Sequence, residues 1–202
     1  MSTSKCLLLL LAALLLTTAP CLAGVVYTFE DVPGRATPFS STVGGITATF
    51  SSPDGPVFSV NPFPVFSGLQ GNILFSDDSG NHTLAVAFSQ PLASITMNFA
   101  LGNTTGGFFT LDTFLGGASV AETQVFAGPP PDFVFSEGVI GFSGGIFDTI
   151  RLSTPSAPDF AIDNLAVQAS VPEPSTFGAG MIAIGGLLAI RRRLRRHTPR
   201  AS

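Results

Sequence analysis

Two stretches decide the fold: His82-Thr83-Leu84-Ala85-Val86-Ala87-Phe88 and Ile95-Thr96-Met97-Asn98-Phe99. In each, every second residue is large and apolar while its neighbours are small or polar. That period of two is the signature of a strand with one face on a core and one toward water. Gly45-Ile46-Thr47-Ala48-Thr49-Phe50 repeats the pattern. No window of useful length between residues 24 and 170 shows a helical period.

Working outward, further strands are expected at 25–29, 108–115, 120–126, 138–142, 147–153 and 160–168. Clusters of turn residues separate them: Pro53-Asp54-Gly55-Pro56, Asp77-Asp78-Ser79-Gly80-Asn81, Gly106-Gly107, Gly116-Gly117 and Gly144-Gly145. Nine or ten short strands at this spacing predict a mainly β domain, an antiparallel two-sheet sandwich of jelly-roll type over residues 24–169. The proline run Gly128-Pro129-Pro130-Pro131 reads as a loop. The chain has 19 Phe, one Tyr and no Trp, and the phenylalanines fall mostly at alternating positions that predict a packed core.

One strand is irregular. In Phe160-Ala161-Ile162-Asp163-Asn164-Leu165-Ala166-Val167 the apolar residues are even-numbered before Asp163 and odd-numbered after Asn164. A switch of face within one strand predicts a β-bulge there. This ending, together with Phe29-Glu30-Asp31 at the close of the first strand, resembles the terminal strands of carbohydrate-binding-module-like jelly rolls. The resemblance implies a structural calcium between the first and last strands, with Glu30 and Asp163 as ligands and Asp31 as a weaker one. Calcium takes several hard oxygens at one place. The same residues also read as a capped strand end with solvated acids.

Charge divides the chain sharply. Between residues 24 and 170 only Arg35 and Arg151 oppose twelve acids, while five arginines crowd residues 191–196. Such an acidic domain argues against nucleic acid or anionic polysaccharide as partner. Neutral glycans and calcium remain compatible with it.

The N-terminus reads as a secretory signal peptide over residues 1–23: Lys5, an apolar centre at 6–16 and a small-residue exit ending at Ala23. Both cysteines, Cys6 and Cys21, lie inside it. The exported domain is therefore expected to hold together by its core rather than by disulfides.

The other terminus has three parts in order. Val171, Pro172, Glu173 and Pro174 form a proline-locked acidic segment within a linker at 170–176. Residues 177–190 carry no charge and predict a transmembrane helix of roughly 21 Å, marginal against the roughly 30 Å of bilayer hydrocarbon. Arg191, Arg192, Arg193, Arg195 and Arg196 begin a basic tail at 191–202, held on the cytoplasmic side by the positive-inside bias. This tripartite ending resembles the PEP-CTERM protein-sorting signal of Gram-negative and related bacteria. The resemblance implies recognition by exosortase, a membrane-embedded cysteine transpeptidase-like enzyme, with cleavage near the Pro-Glu-Pro segment. It implies a transient inner-membrane stage, then delivery to the cell surface or an exopolysaccharide-rich matrix.

Catalytic signatures are absent from the sequence: no nucleophile elbow, phosphate loop or histidine-rich metal motif occurs. His82, the only histidine before the tail, shows no convincing carboxylate partner in sequence and reads as structural. Residues 77–81 read as a hairpin turn rather than a calcium loop, lacking the distal glutamate of an EF-hand. Asn81-His82-Thr83 and Asn103-Thr104-Thr105 match the N-glycosylation pattern.

The function expected is that of an exported, non-enzymatic surface or matrix protein. Two alternatives stand beside it. One is a glycan-binding module of the exopolysaccharide or biofilm matrix. The other is a secreted hydrolase using a pair among Asp112, Glu122, Asp132 and Glu137.

Overall fold

A computed structural model describes residues 24–170, except Ser79. The expected signal peptide, linker, transmembrane helix and basic tail lie outside the described residues. Among those residues there are ten strands and no helix: β1 (Val25–Tyr27), β2 (Phe39–Val43), β3 (Ile46–Ser51), β4 (Phe58–Pro62), β5 (Asn72–Ser76), β6 (Leu84–Leu101), β7 (Gly107–Leu115), β8 (Ala118–Ala127), β9 (Ser136–Ser153) and β10 (Phe160–Ala169). All strand pairings are antiparallel.

The two sheets expected from the sequence are one hydrogen-bonded sheet folded onto itself. Its main path runs β4-β5-β10-β6-β9-β7-β8, with β1 on β10 and the β2–β3 hairpin on β6. Strands β6 and β9 are each 18 residues long and belong to both layers. The first half of β6 pairs with β3 and with the second half of β9; its second half pairs with β10 and the first half of β9. The ladder shifts register between Ala87 and Ser94, where the two strands pass between layers. Pro91 withholds a ladder donor at this bend. Opposite it, Gly144 takes φ 105°, a conformation that side chains rarely permit. The runs at 82–88 and 95–99, expected as separate strands, are therefore one bent strand. Gly144-Gly145, expected as a turn, is the corresponding bend in β9.

The layers pack face to face through aromatic rings. Phe109 of β7 stacks on Phe99 of β6 at 4.4 Å and meets Phe160 of β10 at 5.0 Å. Phe50 of β3 touches Tyr27 of β1, Phe29 and Phe39. Among the described residues nine phenylalanines are buried. Tyr27 is 1% exposed, and its hydroxyl donates to the Ile46 carbonyl at 2.8 Å. It is sealed inside, away from any ligand, and burial raises its pKa to about 12.

Strands β2, β4 and β5 went unseen in the sequence. For β4 and β5 the reason is physical: Phe58-Ser59-Val60 and Ile73-Leu74 are buried on both faces. Two-sided burial removes the alternation that would reveal a strand. The outer face of β5 is covered by the segment 63–71, whose Leu69 and Phe66 form a second small core with Ile73, Phe75, Ala100 and Ala161.

Candidate cation site at the terminal strands

Strand β10 offers one edge to two short strands in succession. β5 pairs with it at Ala161 and Ile162, and β1 pairs with it from Leu165 to Val167. Between the two lies the bulge: Asp163 opposes Asn98 and Ala166 opposes Thr96, so β10 carries one extra residue. The expected change of face at Asp163-Asn164 is thus observed. Asn164 takes φ 52° there, a left-handed conformation that Asn tolerates better than most residues. A second non-glycine residue in this region, Phe29 at φ 63°, ends the extended run of the first strand. Its buried ring rests edge-on against Phe50, so packing holds a conformation that phenylalanine itself disfavours.

These two kinks place Glu30 and Asp163 around one open depression of about 420 Å³, lined also by Thr28, Gly68, Gln70 and Asn164. Asp163 is 2% exposed. Its Oδ1 accepts from Asn164 N at 2.7 Å, and its Oδ2 accepts from Gln70 N at 3.2 Å and Asn164 Nδ2 at 3.0 Å. The Glu30 carboxylate accepts from Asn72 N at 3.0 Å and Asn72 Nδ2 at 2.9 Å. Gly71, at φ 70°, sits directly against that carboxylate, and a Cβ there would overlap Glu30 Oε1. A side chain at 71 and Glu30 in its present place exclude each other.

Burial raises the pKa of Asp163. The N–H groups of Gln70 and Asn164 pull it down, while the nearby Glu30 charge pushes it up again; the net direction is upward. A buried carboxylate destabilised by a second carboxylate is the electrostatic condition that a bound cation relieves. The ligand atoms that the lining offers a hard cation are oxygens: two carboxylates, with the side chains of Thr28, Gln70 and Asn164 beside them. Hard cations suit such ligands and thiolate- or imidazole-seeking metals do not. Asp31 is exposed and does not line the depression. Among the described residues no three His, Cys, Asp or Glu side chains converge as a metal cluster.

The acids considered for hydrolysis are distributed otherwise. Asp112 lies directly opposite Glu122 across β7 and β8, and Arg151 of β9 opposes Asp112 from the other side. The Arg151 guanidinium sits 4.9 Å from the Phe114 ring centroid. These residues occupy a sheet face and do not line the depression. Asp132 stands in a turn at φ 68°. Glu137 accepts the backbone N–H groups of Ser67 and Gly68 at 2.8 and 2.7 Å and so ties the 63–71 segment to β9.

Sequence reasoning missed the surroundings of His82. Its Nδ1 lies 3.2 Å from Asp54 Oδ2, and its Nε2 meets Asp78 Oδ1. Asp54 is distant in sequence, and no local spacing could have paired it with His82. With both ring nitrogens against carboxylates, neither is free to take a proton from a substrate. Of the two glycosylation patterns, Asn103 is engaged: its Nδ2 donates to the carbonyls of Gly106 and Ser156, and its Oδ1 accepts from the Ser136 hydroxyl. Asn81 is exposed.

An aromatic surface was also not foreseen. Phe63, 40% exposed, packs on Phe66 and Phe75, and Phe66 packs on Phe135. On β7 and β8, Phe108 and Phe126 form a second exposed pair at 5.2 Å.

No protein-family model matches the sequence, and no curated protein matches it. Among solved structures, the K2 cleaved adhesin domain of Lys-gingipain is similar at a TM-score of 0.49 and 11% identity, covering 73% of this chain and 99% of that one. The family 35 carbohydrate-binding module from Paenibacillus barcinonensis is similar at 0.40 and 15% identity, over 72% of this chain and 99% of its own. The family 29 module CBM29_1 from Piromyces equi is similar at 0.40 and 10% identity, over 74% and 92%. The fold described above stands on its strand pairings.

Proposed function

We propose that this chain is an exported, non-enzymatic β-sandwich protein of the cell surface or extracellular matrix, sorted through its C-terminal signal. The observation that supports this reading is the order of three segments: Val171, Pro172, Glu173 and Pro174, the uncharged run 177–190, and Arg191, Arg192, Arg193, Arg195 and Arg196. An apolar run this short, marginal for lasting anchorage, suits a segment that is cut. Arginines at its end stop transfer and hold it for processing. The signal peptide at 1–23 starts export, the domain at 24–169 is the cargo, and an exosortase-type enzyme in the inner membrane is the processing partner. Intact mass and localisation, with and without that enzyme, test the reading. Loss of the arginine block from the surface form is expected, and a product that keeps it in every fraction overturns the reading.

A second reading is that the cargo is a glycan-binding module of the exopolysaccharide matrix, braced by calcium. The depression shared by Glu30 and Asp163 favours the calcium part. Both carboxylates would hold the ion, with Thr28, Gln70 and Asn164 as further oxygen donors. The ion would neutralise the two charges and tie the end of the first strand to the bulge of the last. The exposed Phe63 and Phe126 favour the glycan part, because aromatic faces support the apolar side of a sugar ring. Binding to a neutral-glycan array that is lost in Phe63→Ser or Phe126→Ser supports it. Unchanged or absent binding sinks it.

A further inference from the structure

We propose that His82 is a proton-operated latch that fastens the loop between β3 and β4 to the loop between β5 and β6 at one end of the sandwich. Asp54 belongs to the first loop and Asp78 to the second, and the imidazole lies between them. A neutral imidazole donates from one nitrogen only, and its other nitrogen presents a lone pair. Here each nitrogen faces a carboxylate oxygen. Both contacts are attractive only when the ring is doubly protonated, and the neutral ring must give up one of them.

The surroundings favour the charged form. The His82 side chain is 16% exposed, and the edge of the Phe58 ring from β4 closes its other side at 6.4 Å between centroids. Asp77, the next carboxylate on the same loop, accepts the Ser59 hydroxyl and supports β4 rather than the ring. Asp54 Oδ2 also accepts from Thr83 N at 3.2 Å, so the backbone beside His82 reports on the same contact. Burial alone would lower the pKa of His82, but the hydrogen bonds and charges of Asp78 and Asp54 outweigh it and raise it above the ordinary 6.5. The Asp54 carboxyl is lowered, through the Thr83 N–H first and His82 next. The two partners agree in direction.

The sign follows. A histidine whose pKa is raised on folding contributes stability that is complete below the unfolded value and is lost as pH rises through the folded value. The latch is therefore closed in mild acid and opens as pH climbs through the raised pKa of His82 in the folded chain, freeing the two loops while the core strands stay paired.

The test is carried out on the full chain, following the His82 ring by NMR and amide hydrogen exchange at Thr83, corrected for intrinsic pH dependence. Thr83 exchange is expected to rise across the titration of His82, by a factor of ten for each unit by which the measured His82 pKa exceeds its unfolded value. Asp54→Asn and Asp78→Asn should each move the His82 midpoint down. In His82→Gln the exchange should be fast at every pH, while amides of the β6–β9 ladder remain protected. A His82 pKa at or below the ordinary value, or Thr83 protection that stays flat across the His82 titration, overturns the latch. Should His82→Gln lose the protected ladder, the two asparagine variants decide the question alone.

Discussion

The backbone N–H of Gln70 donates to Asp163 Oδ2 across 93 positions of sequence. This bond fastens the 63–71 segment to the bulge of the last strand, beside the depression that Glu30 shares. Cation binding at that place is thus a question about the stability of a segment as well as of a site. Millimolar calcium is expected to raise the Tm of the domain, since a ligand at 100 times its Kd stabilises by about 2.7 kcal/mol. Asp163→Asn should abolish the calcium shift. Thermal unfolding of both proteins, with calcium and with a chelator, decides it; equal calcium shifts in the two would remove Asp163 from the ligand set.

The Asp159 Oδ1 atom is buried without a hydrogen-bond partner. Desolvation raises the pKa of this carboxyl above its ordinary 3.8. For an acid raised on folding, the unfolded chain gives up its proton first, so the fold loses stability as pH rises from about 4 through the folded pKa. Above that pKa the loss is complete and constant. Asp159→Asn removes the ionisation and should stabilise the domain at neutral pH, by less than about 1 kcal/mol because the rest of the carboxyl is partly solvated. Urea midpoints at pH 4 and pH 7 check the sign: the gain should be larger at pH 7.

Phe109 is fully buried between Phe99 and Phe160, and so couples the two layers. Phe109→Ala should cost about 3–5 kcal/mol through lost transfer energy and the cavity left behind. Phe126→Ala, at a ring that is 61% exposed, should cost less than about 1 kcal/mol. Urea unfolding of the two variants compares a core ring with a surface ring of the same type.

What the sequence revealed and what it hid follow from one physical distinction. Alternation at Leu84-Ala85-Val86 and at Ile150-Arg151-Leu152 reports one-sided burial, so these strands were legible. Joining the runs at 82–88 and 95–99 into one strand depends on Pro91 and Gly144 bending a continuous ladder, and residue type does not separate a bend from a turn there. The bulge at Asp163-Asn164 was legible because a change of face alters the pattern itself. Glu30 could be placed near Asp163 only through resemblance, since the β1–β10 pairing that joins them spans most of the domain. The His82–Asp54 contact had no sequence signal, as it arises from two loops meeting at one end of the fold.

Glu137 holds the 63–71 segment by accepting two backbone N–H groups, from Ser67 and Gly68, while Asn98 Nδ2 donates to the Gly68 carbonyl at 2.9 Å. Charge-assisted bonds of this kind are stronger than neutral ones, but this carboxylate is partly solvated and its contribution is screened. Glu137→Ala should therefore cost only about 1–2 kcal/mol globally. Locally the effect should be greater, because the bonds of Asn98 to Gly68 and of Gln70 to Asp163 would remain the main polar ties of a segment that carries Phe63 and Phe66. Limited chymotrypsin digestion of the native protein is expected to cut after Phe66, which unlike Phe63 is not followed by proline, several-fold faster in Glu137→Ala than in the parent. Cleavage there at an unchanged rate would mean that packing on Ile73, Ala100 and Ala161 holds the segment without help from Glu137.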